Sequence, residues 1–216
     1  MGIYLDSADP DDARRAQQLV FVEGITTNPK LISQTGQFGL DVLSDLVEIF
    51  DGHVFYQVTG ATVEARTDEA WQAYKIRPDK VIIKVPTTTE NLAMVSRLVP
   101  AGIECAMTAV YSPAQAYLAA QVRASFIIPY VNRMTRQIGD TAMGVIRDMV
   151  RVLEDTQTQV LAGSFTTVDE VTATLLCGVP HVTMSLDLIK ALGEHELSRQ
   201  AIEDFARYAT GPNIDV

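Results

Sequence analysis

Eight short apolar runs, each followed by a stretch of helical periodicity, constrain this chain more than any other feature. The runs are "GIYLD" (Gly2 to Asp6), "GITTNP" (Gly24 to Pro29), "HVFYQVTG" (His53 to Gly60) and "KVIIKVP" (Lys80 to Pro86), then "IECAMTAVY" (Ile103 to Tyr111), "SFIIPYVNR" (Ser125 to Arg133), "TQVLAGSF" (Thr158 to Phe165) and "HVTMSL" (His181 to Leu186). Between them lie capped, amphipathic segments such as "SADPDDARRAQQLV", "TVEARTDEAWQAYKI" and "IGDTAMGVIRDMVRVLEDT". Strands that alternate with helices form a parallel sheet, because each crossover helix returns the chain to the same end. Eight such units predict closure into a (β/α)8 TIM barrel, with an additional C-terminal helix. The rival is an open doubly wound sheet, but no strand is followed by GxGxxG or GxxxxGK[ST]. With 216 residues and no linker, repeat or low-complexity tract, 1–216 reads as a single barrel domain, with a helical arm from about residue 190 onward.

Charge and cysteine usage narrow the function classes. A net charge of −10 argues against a nucleic-acid partner, since phosphate would be repelled. The N-terminus "MGIYLDSADPDD" lacks the features of a signal peptide, and no apolar run approaches the roughly 18 residues of a membrane span. Cys105 and Cys177 are isolated, which fits packing in a reducing compartment. A soluble, cytoplasmic protein is therefore expected. His53, His181 and His195 have no metal-ligand spacing, and no metal site is predicted. "DSADPDD" lacks the glycine and terminal glutamate of a calcium loop and reads as a helix start.

In a TIM barrel the active site lies at the C-terminal strand ends. Those ends carry Asp6, Thr26 with Asn28, Gln57, Lys84, Thr108, Tyr130 with Arg133, and Ser164. Polar strand ends are common, but Lys84 sits inside "VIIKVP", where burial of an ammonium is costly unless it is paired or loses its proton. A desolvated, neutral lysine can attack a carbonyl and form a Schiff base, an electron sink suited to aldol chemistry. Asp6, Thr108, Tyr130 and Gln57 could then move or position the protons. A lysine at a strand end can equally snorkel to water, so a non-catalytic sugar-binding barrel is a competing reading. Pyridoxal phosphate dependence would need a phosphate cup, and no Gly-rich loop supplies one.

"YLDSAD", "GITTNPKLI", "FYQVTG", "VIIKVPTT", "TAVYSPAQA", "PYVNR" and "AGSF" together resemble the small transaldolase and fructose-6-phosphate aldolase family, from Ile3 to about Leu188. The resemblance implies a class I aldolase without metal or organic cofactor, with Lys84 as the Schiff-base lysine and Asp6 as its acid. It implies that Thr26 and Asn28 contact substrate hydroxyls, and that Arg133 and Ser164 hold a sugar phosphate. Transaldolases of this family carry glutamate and phenylalanine where this chain has Gln57 and Tyr130. The trio Gln57, Thr108 and Tyr130 therefore resembles the water-holding group of the aldolase branch. The expected function is aldol cleavage and condensation with a dihydroxyacetone unit and an aldehyde such as glyceraldehyde 3-phosphate. The alternative is transfer of that unit between sugar phosphates, as in a transaldolase of the pentose phosphate pathway. One departure weakens the phosphate site: Thr166 stands where the family usually has a base. By the same resemblance, "FARYATGPNIDV" would pack on a neighbour in a ring-shaped homo-oligomer, a pentamer or decamer.

Overall fold

The computed structural model describes residues 1–209. Eight parallel strands close into one barrel in sequential order, with the first strand pairing with both the second and the last. They are β1 (Gly2–Asp6), β2 (Val22–Thr26), β3 (His53–Gln57), β4 (Val81–Pro86), β5 (Cys105–Val110), β6 (Phe126–Pro129), β7 (Gln159–Ala162) and β8 (His181–Met184). The helices are α1 (Pro10–Gln17), α2 (Pro29–Thr35), α3 (Gly39–Ile49), α4 (Val63–Ile76), α5 (Thr89–Leu98), α6 (Pro113–Gln121), α7 (Val131–Ile138), α8 (Thr141–Val152), α9 (Val168–Leu176), α10 (Leu186–Ala191) and α11 (Glu196–Ala209). The expected (β/α)8 fold is what the chain adopts.

Punctuation in the sequence sets where each strand gives way to a helix. Asp9, Asn28, Thr62, Thr88, Ser112, Thr167 and Ser185 each accept a hydrogen bond from an N–H of the first helical turn. Pro10, Pro29 and Pro113 follow three of these caps at a position where the missing N–H costs nothing. Each cap thus starts a helix within a few residues of a strand's C-terminal end.

Strand alternation divides the apolar residues into two sets. Leu5, Ile25, Val54, Ile83, Val85, Met107, Ile127 and Val182 are buried in the shell between strands and helices. Tyr4, Phe55, Ile82, Ala106, Phe126, Ile128 and Leu161 fill the lumen. Aromatic rings there meet edge to face, Tyr4 with Phe55 at 5.7 Å and Phe55 with Phe126 at 5.4 Å. Gly24 makes room for this layer, because a Cβ there would lie 2.8 Å from Tyr4 Cδ1. The floor is polar: His181 Nε2 bonds Gln159 Oε1 at 2.8 Å, and Tyr4 OH donates to Glu23. Burial holds His181 below its ordinary range despite Glu23, so their 4.0 Å approach is not an ion pair at neutral pH.

Some boundaries differ from the sequence reading. The segment after β2 is two helices, divided where Gly36 takes a left-handed φ of 71°. The segment after β6 likewise divides at Gly139, with φ 59°. "YVNR" does not extend β6: Met134 N–H donates to Tyr130 C=O at 2.9 Å, so Asn132 and Arg133 lie in the first turn of α7. His53 and His195 are exposed, Cys105 and Cys177 are buried thiols, and Trp71 packs edge to face on Tyr74. Residues 210–216, which include most of the expected arm's tip, lie outside the described residues.

Candidate active site

The lumen layer fixes what lies above it. Two residues beyond Tyr4, Gly24, Phe55, Ile82, Ala106, Ile128 and Leu161, the same inward face presents Asp6, Thr26, Gln57, Lys84, Thr108, Tyr130 and Gly163. Register agrees, with Asp6 beside Thr26, Gln57 beside Lys84 and Tyr130 bridged to Gly163. Period-two alternation therefore converts seven strand ends into one polar ring over an apolar plug. Above the ring is a cavity of about 400 Å³, whose lining includes Asp6, Asn28, Gln57, Lys84, Tyr130, Arg133 and Ser164. Thr26 and Thr108 are fully buried and touch the site through Asp6 and Tyr130.

Lys84 is 3% exposed, and its Nζ donates to Thr27 C=O at 2.9 Å. Burial drives its ammonium below the ordinary lysine range, while the Asp6 carboxylate pulls it partly back. Asp6 is raised by its own burial, and Lys84, Thr26 and Asn28 act against that rise. Both shifts move the pair toward its neutral forms. Thr26 Oγ1 donates to Asp6 Oδ1 at 2.9 Å and lies 2.6 Å from Thr183 Oγ1. Asp6 is thus held by Thr26, within electrostatic reach of the lysine.

Opposite Asp6, Thr108 Oγ1 and Tyr130 OH are 2.8 Å apart. Burial raises Tyr130, so its hydroxyl keeps its proton and can donate. Gln57 Oε1 is buried and has no donor among the described residues, an uncommon state that a bound hydroxyl or water would relieve. Arg133 is exposed at the mouth, its guanidinium carbon 5.0 Å from the Tyr130 ring centre. Thr166 is engaged away from the cavity: its N–H and Oγ1 donate to Glu170 at 2.7 and 3.0 Å, and Asn132 Nδ2 donates to both residues.

The sequence reading missed several members of the site. Thr183 supplies the contribution of β8; a threonine inside "HVTM" at the inward parity, two residues beyond His181, was the available signal. Lys30, exposed in the first turn of α2, also lines the cavity, and nothing in a helix-start lysine foretold it. Ala109 and Ser164 line it with left-handed φ values of 56° and 64°, and Ala109 is the bulged residue between β5 and β6. Strained non-glycine backbone of this kind concentrates at functional sites. Periodicity carries no trace of it.

The model for the Transaldolase/Fructose-6-phosphate aldolase family matches residues 3–212. A "Probable transaldolase" of Streptococcus agalactiae serotype V is 34% identical over 209 residues, covering 96% of both chains. Namesakes from Desulforudis audaxviator and Symbiobacterium thermophilum are 34% and 31% identical, over 96% of this chain and 98% and 96% of theirs. Among solved structures, inosine 5′-monophosphate dehydrogenase from Legionella pneumophila superposes with a TM-score of 0.63 at 14% identity, a likeness of fold alone. It covers 87% of this chain, which spans 58% of that one. Carried by nearly its whole length, this chain belongs to the transaldolase/fructose-6-phosphate aldolase family and is an enzyme, aldolase or transaldolase.

Proposed function

We propose that the enzyme is a class I aldolase of the fructose-6-phosphate aldolase kind, joining and cleaving dihydroxyacetone and glyceraldehyde 3-phosphate or a similar aldehyde. The observation that carries this reading is the group facing Lys84. Gln57 offers a buried, unpartnered amide oxygen, and Tyr130 is bonded to Thr108. An amide cannot exchange protons as a carboxylate does, but it can hold a water that does.

Lys84 Nζ, kept short of its charge by burial, adds to the ketose C2 carbonyl. The carbinolamine expels its oxygen as water and leaves a protonated imine. That cation accepts the electron pair of the C3–C4 bond as it breaks. The C4 hydroxyl proton goes to Asp6 or to the water held by Gln57, Thr108 and Tyr130, and the aldehyde departs. The enamine takes a proton at C3, and water then hydrolyses the imine to free dihydroxyacetone and Lys84. Asn28, and Thr26 through Asp6, address the donor hydroxyls. Arg133 and Ser164 receive the phosphate end of the acceptor.

Transaldolase activity is the second reading, favoured by the names of the curated relatives. Gln57→Glu, alone and with Tyr130→Phe, separates the two, because a carboxyl would take over proton traffic assigned to the held water. The ratio of transfer to free cleavage, measured with and without an aldose phosphate acceptor, is expected to rise by about an order of magnitude. An unchanged ratio would leave the aldolase assignment without support.

The remaining features fit one barrel domain with a C-terminal arm that docks on a second copy of the chain. Two unpaired cysteines suit the reducing cytoplasm.

A further inference from the structure

Two cavities meet at Arg133 and Ser164. One is the chamber above Lys84. The other, about 390 Å³, is lined by Asn132, Arg133, Arg136, Gln137 and Ser164. All five are polar, two are cationic and none is acidic, a local reversal of sign in a chain of net charge −10. Arg136 follows Arg133 by one helical turn, so both project from the same face of α7. Among the described residues Arg136 has no ion-pair or hydrogen-bond partner, and Ser164 Oγ makes no hydrogen bond. The carboxylate close at hand, Glu170, is engaged by Thr166 and Asn132. Both of its oxygens thus already accept hydrogen bonds from neutral groups.

We propose that Arg136, one helical turn beyond Arg133 on the wall of this polar annex, adds a second positive charge beside the acceptor's terminal phosphate and so sets the preference for phosphorylated aldehydes. The proposal rests on the reading above, in which the acceptor runs from Lys84 toward Arg133. A phosphate seated there meets two planar guanidinium forks and a hydroxyl, an arrangement well matched to its oxygens. Arg136 thereby determines specificity for phosphorylated aldehydes without touching the reacting carbons.

The test compares the full-length enzyme with Arg136→Gln, Arg136→Lys and Arg133→Ala, using glyceraldehyde 3-phosphate, unphosphorylated glyceraldehyde and inorganic phosphate as a competitor. For Arg136→Gln, the kcat/KM ratio of phosphorylated to unphosphorylated aldehyde is expected to fall about tenfold, through KM, as loss of one charge-assisted bond implies. Inhibition by inorganic phosphate should weaken by a similar factor, and Arg136→Lys should recover part of both. If the ratio falls in Arg133→Ala but not in Arg136→Gln, the Arg136 assignment is overturned and the acceptor path stands. If neither variant moves it, both fail. A lower melting temperature for Arg136→Gln with an unchanged ratio would make Arg136 only a favourable charge at the end of α7, which also overturns the proposal.

Discussion

Lys84 and Asp6 were legible in the sequence because each is an ionisable residue set in or against an apolar run, where burial forces a chemical consequence. Ala109 was not, because its contribution comes from a left-handed backbone that no local pattern encodes, and Thr183 was signalled only by the inward parity of "HVTM". The burial of Lys84 also makes it a stability liability with a defined sign. Its folded pKa is lowered, so the unfolded chain binds more protons up to the ordinary value of 10.5, and wild-type stability rises with pH toward that value. In Lys84→Met this rise is lost, and Asp6, deprived of its opposing charge, is pushed further up, which makes the variant lose stability as pH rises. The variant's melting temperature relative to wild type should therefore fall between pH 7 and pH 10, by roughly 2–4 °C for each kcal/mol of differential effect. A relative increase over that range would contradict the assigned shift.

At the scale of elements, all eight strands could be read from short β-branched runs, since a strand buried on both faces has few other compositions. Helix division was not legible, because Gly36 and Gly139 act only through their left-handed φ, and either glycine could have stood in a continuous helix. The end of β6 was misread for a related reason: "YVNR" continues an apolar run, yet hydrogen bonding from Tyr130 C=O starts a helix there. Glycine position also gives a paired test of the packing. At Gly24 a Cβ would lie 2.7 Å from His53 C=O and 2.8 Å from Tyr4, so Gly24→Ala should destabilise by roughly 1–3 kcal/mol. At Gly144, inside α8, a Cβ meets nothing within 4 Å, so Gly144→Ala should stabilise by about 0.5–1 kcal/mol. Thermal melts of the two variants should move in opposite directions. A shared direction would contradict the described strand and helix environments.

For the whole molecule, closure of the barrel followed from the count of β/α units, while association could be suggested only by family resemblance. The structure adds a physical motive. Along α11, Leu197, Phe205 and Tyr208 fall on one helical stripe flanked by Ile202, and these residues are 67%, 68%, 83% and 64% exposed. A stripe of this kind on a terminal helix suits a contact between copies of the chain. Wild-type protein is expected to elute larger than one chain by light scattering, and Phe205→Asp with Leu197→Asp to reduce that size without unfolding the barrel. A monomeric wild type would remove the assembly proposal.

Among the chain's five lysines, Lys80 is the other one drawn into the fold, and it donates to Val47 and Phe50 carbonyls at 3.0 and 2.8 Å beneath the sheet. Lys30, Lys75 and Lys190 lie on helices. Lys84 alone combines burial, an opposing Asp6 and a place in the cavity above the barrel. Borohydride reduction in the presence of dihydroxyacetone, followed by peptide mass mapping, should leave a stable adduct on Lys84 and on no other lysine, with activity lost in proportion. Full turnover with Lys84 unmodified, or an adduct at another lysine, would contradict the Schiff-base account.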